Sequence, residues 1–241
     1  MNLGLIKYFM LNYGRSGKYL FPLLLYFAWQ VTAYQFQPVE FLEILGFTSL
    51  VNFVCMTIIG ITFMNHRSPM IEMSFLARLQ NKQQFYHSKV FALFDFSFTL
   101  ALIGVFFPIL LHVARGFTLF QRPLTFADIA GAFFVLFLSS LCGAFAGLLF
   151  NNRFIKKREL QLLLCIAWGM IALFRGSIIL EVDWLKFVLW LFPPVHELAR
   201  RLMEMDSFEL ASIWLYFLYA ILYCIVLTIG YVKIMKVKGV E

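Results

Sequence analysis

The chain has 241 residues, of which 62% are hydrophobic and only 14% charged, and it carries a formal net charge of +7. A soluble domain has about 25% charged and about 45–50% apolar residues, so this composition excludes an ordinary water-soluble globule and fits a protein embedded in lipid. The basic excess does not read as nucleic-acid binding, because the Lys and Arg residues sit in short segments beside apolar runs, where they set membrane orientation.

The first element is predicted at 2–15. Leu3, Ile6, Met10 and Tyr13 recur at helical spacing while Lys7, Asn12 and Arg15 fall elsewhere, which suggests a short helix lying on the inner membrane surface. The alternative is a signal peptide with its apolar core at 20–29, whose removal would leave an odd number of spans. "GRSGKY", Gly14 to Tyr19, is not a phosphate-binding loop: the spacing is too short, Tyr19 stands where a hydroxyl-bearing Ser or Thr is needed, and no strand precedes it.

A helix needs about 20 apolar residues to cross about 30 Å of hydrocarbon. That ruler places six spans near 19–36, 44–64, 90–111, 126–150, 161–180 and 211–231. No stretch alternates with the period of two that a membrane barrel requires, so the predicted fold is all-α, one polytopic membrane domain over 1–241. A polar-studded segment, 70–89, separates the second and third spans. A shorter apolar run, 184–195, closes with Pro193 and Pro194; its length suits a re-entrant segment, about 182–205, better than a crossing.

Charge placement selects among topologies. With six spans and both termini in the cytoplasm, the inner segments hold Lys7, Arg15, Lys18, Arg67, Arg78, Lys82, Lys89, Arg153, Lys156, Lys157, Arg158, Lys233, Lys236 and Lys238. A seventh crossing at 184–195 would move the lysines after Tyr231 outside.

No catalytic motif emerges. HExxH and GxSxG are absent, the four histidines are scattered, and Cys55, Cys142, Cys165 and Cys224 each fall inside an apolar run, as small buried hydrophobes do. Ionisable groups in spans are functional candidates by default. Asp95 lies six residues beyond Lys89, where the positive end of a helix starting there would favour an anion. Arg175 could pair with Asp128 or with Glu181, either bracing an outer gate or contacting an acidic group of a substrate.

The segment near 70–84 carries Ile71, Phe75, Leu76 and Leu79 at helical spacing, with Ser74, Arg78 and Lys82 on another face and Pro69 just before it. It reads either as an amphipathic helix resting on lipid headgroups or as an element docked on a cytoplasmic partner. The loop "FLARLQNKQQFYHSKVFAL", the surface helix before the first span, the six spans, and "DWLKFVLWLFPPVHELARRL" before the last one together resemble the membrane subunit of type-2 ABC exporters, the ABC-2 permease family. The acidic, glycine-rich loop start usual in that family is weak here, and no large domain separates the first two spans.

The resemblance implies an exporter of two permease subunits, a second copy or a sister chain, and two copies of a separate ATPase. ATP and Mg would be bound by that partner, and this chain would hold no cofactor and no metal and perform no catalysis. Ile71, Phe75, Arg78, Leu79 and Lys82 would form the coupling helix, while Arg153, Lys156, Lys157 and Arg158 would make a second cytoplasmic contact or a phospholipid anchor. Asp95, Asp128 and Arg175 would line a path or gate, and Pro193 and Pro194 would break the re-entrant segment. The short permeases it resembles sit in the bacterial plasma membrane and export amphipathic peptides; drug, lipid and polysaccharide export are alternatives within the family. Outside it, the alternatives are a lipid-handling membrane enzyme that uses His112, Asp128 and Arg175, or an accessory subunit.

Overall fold

Long apolar runs in lipid must satisfy their backbone polar groups internally, which leaves helices as the economical solution. The computed structural model describes residues 3–66, 82–152 and 154–238, and these are helical throughout apart from connections. The order is α1 (Leu3–Arg15), α2 (Leu20–Ala33), α3 (Phe41–Met64), α4 (Lys82–Ala114), α5 (Phe126–Leu149) and α6 (Arg158–Glu181). A 3-10 turn (Asp183–Leu185), α7 (Lys186–Leu189), α8 (Val195–Met203) and α9 (Leu210–Lys238) follow.

Five of these, α3, α4, α5, α6 and α9, are long and apolar enough to cross a membrane. The protein is thus an all-helical, polytopic membrane protein. The segment expected to span at 19–36 is helical only over the 14 residues of α2, about 21 Å at 1.5 Å per residue, short of the roughly 30 Å hydrocarbon core. Its ends are set locally. Gly17, at φ +67°, turns the chain out of α1, and Pro38 has no N–H to give the carbonyl four residues back; past Ala33 the chain bends through 35–38 and pairs Val39 with the 119–121 segment through Val39 N–H to Leu119 O and Gln121 N–H to Val39 O.

The tightest seam is α3 against α5. Gly143 and Gly147 stand one helical turn apart in "GAFAG", the small-xxx-small spacing that lets membrane helices approach backbone to backbone. A Cβ on Gly147 would lie 2.7 Å from the Cα of Gly60 on α3, and one on Gly60 would lie 2.7 Å from Ala144 O. The same seam is cross-linked by buried Asn52, whose Nδ2 donates to Leu136 O (2.9 Å) and Ser140 Oγ (2.6 Å).

Successive long helices alternate direction, which gives the bundle two ends. At one, called here the Asn65 end, α1 is docked by Ile6, Phe9 and Tyr13, all buried. Phe9 meets Phe85 edge-on at 5.2 Å, Tyr13 meets Phe63 at 5.3 Å, and the Tyr13 hydroxyl shares a 2.6 Å hydrogen bond with Thr62 Oγ1. Burial lifts the Tyr13 phenol to about 12, so it stays protonated. At the other, the Asp128 end, lie the α2–α3 and α4–α5 connections and the short helices α7 and α8.

α4 departs from the expected third span. It is one continuous helix of 33 residues, about 50 Å, and therefore outruns the hydrocarbon thickness. Lys89 does not open this helix: it sits two turns inside, buried, with its ammonium 5.1 Å from the Phe85 ring centre.

Candidate functional site

Two polar clusters stand out against the apolar bundle, both at the Asp128 end. The first is built on the α5 N-terminus. Thr125 and Asp128 form a capping box, Thr125 Oγ1 accepting from the Asp128 N–H and the Asp128 carboxylate accepting from the Thr125 N–H, which satisfies two donors that a helix start leaves open. Arg122 then grips the fully buried carboxylate with two bonds, Nη1 to Oδ2 at 2.7 Å and Nη2 to Oδ1 at 2.8 Å. The bond to Asp128 holds the Arg122 guanidinium above its ordinary range. Asp128 Oδ1 also accepts from the Phe208 N–H at 3.1 Å, so one carboxylate ties the α4–α5 connection to the chain entering α9.

The second cluster holds the hairpin of α7 and α8. The chain leaves α7 at Trp190, breaks through buried Pro193 and Pro194, and re-enters helix at Val195. The carbonyl of Phe192, left open by that break, accepts from Arg175 Nη1 at 3.1 Å and from the Tyr219 hydroxyl at 2.9 Å; the Tyr219 hydroxyl also bonds Trp190 O. Arg175 Nε lies 3.1 Å from Glu197 Oε1 and its guanidinium stacks 5.2 Å from the Tyr219 ring centre. The His196 ring fills the space over Gly176, and the Phe192 ring lies 4.2 Å from Trp168. Burial pushes the His196 imidazole below its usual value, although neighbouring Glu197 pulls the other way.

These pairings correct two expectations. Arg175 meets neither Asp128 nor Glu181: Asp128 is already saturated by Arg122, Thr125 and Phe208, and the hairpin brings Glu197 to Arg175 instead. Asp95 gains no helix-terminal stabilisation, because α4 begins thirteen residues earlier, at Lys82, and the dipole effect fades within the first turn; the half-buried Asp95 has no ion pair among the described residues. Ile71, Phe75, Arg78 and Leu79, and likewise Arg153, lie outside the described residues, as does the side chain of Lys82. Lys156 and Lys157 are exposed in the α5–α6 connection and Arg158 is the exposed first residue of α6. His112 packs on Phe117 and Phe120, with ring centres 5.3 and 4.6 Å away.

Besides these clusters, an apolar groove of about 930 Å³ runs along α5 and α9, lined by Phe94, Phe134, Phe137, Leu141, Phe217 and Ile225 among others. Its volume falls in the upper part of the roughly 300–1,000 Å³ range of ligand pockets. The Phe208 ring lies over Gly131 at its Asp128 end, held there by the backbone bond to Asp128. Glu197, Tyr219 and Arg122 are partners that the sequence does not single out; the Thr125-x-x-Asp128 spacing signals the cap on which Asp128 sits, but not its Arg122 partner.

No protein-family model, no curated protein and no solved structure matches this chain.

Proposed function

We propose that the chain is the membrane permease subunit of an ATP-driven exporter, working as a dimer with a second copy or sister permease and powered by a separate ATPase chain. The observation that carries this reading is the hairpin of α7 and α8, which turns back at Pro193 and Pro194 and is tied by Arg175 and Tyr219 just before the last long helix. A docked amphipathic α1 and an α4 longer than the bilayer are in keeping with it. On this reading α2 makes the first of six membrane passes, and both termini and the Asn65 end face the cytoplasm of a plasma membrane. The 70–84 segment is then the coupling helix, with Ile71, Phe75, Arg78, Leu79 and Lys82 seated on the ATPase, and Lys156, Lys157 and Arg158 make a second cytoplasmic contact or a phospholipid anchor. An amphipathic cargo, a peptide above all, suits the apolar groove.

A lipid-handling enzyme built on His112, Asp128 and Arg175 is less well supported, since Asp128 and Arg175 are each committed to their own partners and offer no shared reaction centre.

The test is coupling. The purified chain alone should hydrolyse no ATP, and together with its ATPase should support hydrolysis that substrate stimulates. Reversing the charge of Arg78 and Lys82 should uncouple the two; unchanged assembly and unchanged stimulation in that variant would overturn the assignment.

A further inference from the structure

We propose that the Asn65 end of the bundle is a headgroup-binding surface for anionic phospholipid, formed by Lys7, Arg15 and Lys18 with Lys156, Lys157 and Arg158. Docking of α1 through Ile6, Phe9 and Tyr13 decides which of its faces points away from the protein. That outward face carries Lys7, Tyr8, Leu11 and Arg15, all exposed, with Lys18 in the turn that follows. Cations interleaved with an exposed Leu and Tyr make a poor surface for bulk water and a good one for the bilayer interface, where the stems and rings bury and the charges reach phosphate.

The second basic segment is anchored to the same place. Asn65, at the end of α3, accepts from the Asn152 N–H at 2.9 Å and donates through Nδ2 to Phe150 O at 3.4 Å, so the strand of chain leading to Lys156, Lys157 and Arg158 hangs from the helix end whose Thr62 holds Tyr13. Lys233, exposed near the end of α9, adds a further cation. Against these the described residues of this end offer one carboxylate, Glu159. The opposite end carries Glu40, Glu43, Glu204, Asp206 and Glu209, among others. None of the six basic residues forms an ion pair among the described residues.

The apolar neighbours select lipid over a soluble polyanion. Leu3 and Leu11 on α1 are 70% and 53% exposed, and α2 continues with Phe21 and Leu24 at 67% and 66%. A phospholipid can place its phosphate on the cations and its chains on this apolar flank, whereas nucleic acid or free phosphate can use the charges only.

The experiment uses the purified full chain, without any ATPase, so its outcome is independent of the exporter reading. The chain is placed in nanodiscs of phosphatidylcholine, alone or mixed with phosphatidylglycerol; thermal unfolding is followed and retained lipid is counted by native mass spectrometry. The wild type should unfold at higher temperature in the mixture and retain phosphatidylglycerol. K7Q/R15Q/K18Q and K156Q/K157Q/R158Q should each weaken that retention about fivefold per charge removed, with unfolding in phosphatidylcholine alone unchanged. If either variant already unfolds early in phosphatidylcholine alone, a salt titration of the wild type takes its place, since screening should release the phosphatidylglycerol. Retention that survives both triple substitutions, that resists salt, that falls equally in K186Q/R200Q/R201Q at the other end, or that inorganic phosphate abolishes where chloride of the same ionic strength does not, would overturn the proposal.

Discussion

Arg175 on α6 reaches Glu197 on α8 at 3.1 Å, with side chains only 11% and 19% exposed, while the same guanidinium bonds the carbonyl that the Pro193–Pro194 break leaves open. α6 otherwise exposes much of its apolar surface, including Leu163, Ile166 and Phe174, so this contact is a principal tie between α6 and the rest of the bundle. Removing one partner strands a poorly solvated charge, which costs about 3–5 kcal/mol when the pair is buried. Arg175→Met should therefore lower the unfolding temperature in detergent markedly, while the double variant Arg175→Met with Glu197→Met should recover most of the loss. A double variant as damaged as the single one would assign the cost to the Phe192 carbonyl instead.

His196 predicts a pH dependence of the same region. Its imidazole faces Gly176 and lies near Arg175, Glu197 and Arg200, and burial holds it below the ordinary value of about 6.5. The folded state then binds a proton less readily than the unfolded one, so stability is complete above pH 6.5 and falls as pH drops below it, until the folded value is reached. Unfolding temperatures between pH 8 and pH 5 should decline in the wild type and decline less in His196→Gln. Equal slopes would remove His196 from the account.

Hydrophobic run length was enough to find the long helices, because the hydrocarbon core imposes one ruler on every crossing. The same ruler overestimated the first of them: 19–36 is largely apolar, yet the turn at Gly17 and the bends at 35–38, ahead of the bridge at Val39, shorten the helix to α2. The polar sites were legible only as residues. Arg175 and Asp128 stand out in any reading as charges in apolar surroundings, but their partners depend on a hairpin that folds Glu197 back twenty-two positions along the chain and on a loop residue, Arg122, that hydropathy does not distinguish from its neighbours. Gly143 and Gly147 carried a readable spacing, whose consequence needed the identity of the opposing helix.

That spacing yields a contrast between glycines. At Gly147 an added Cβ meets the backbone of Gly60 at 2.7 Å, and backbone cannot yield as a flexible side chain can, whereas at Gly169 on α6 and Gly230 on α9 nothing lies within 4 Å. Gly147→Ala should destabilise by about 1–3 kcal/mol through overpacking. Gly169→Ala and Gly230→Ala should be neutral, or stabilising by up to about 1 kcal/mol from helix propensity. Denaturation in mixed micelles checks both; a neutral Gly147→Ala would show that the α3–α5 seam can open at little cost.

At the other polar cluster the effects should be graded by how many bonds each residue supplies. Thr125→Ala removes the cap and its hydroxyl bond to Asp128 while leaving the Arg122 fork intact, which predicts a loss of about 1 kcal/mol. Asp128→Asn keeps the shape but removes the charge that both Arg122 nitrogens and the Phe208 N–H address, and a charge-assisted bond is roughly twice as strong as a neutral one, so its loss should be the larger. Because Phe208 is held over Gly131 partly by that carboxylate, Asp128→Asn should also loosen the end of the apolar groove: a spin label placed at Ser207, beside the pinned residue, should gain mobility in Asp128→Asn and not in Thr125→Ala. Equal mobility in the two variants would mean that ring packing on Gly131, rather than the hydrogen bond to Asp128, fixes the entry to α9.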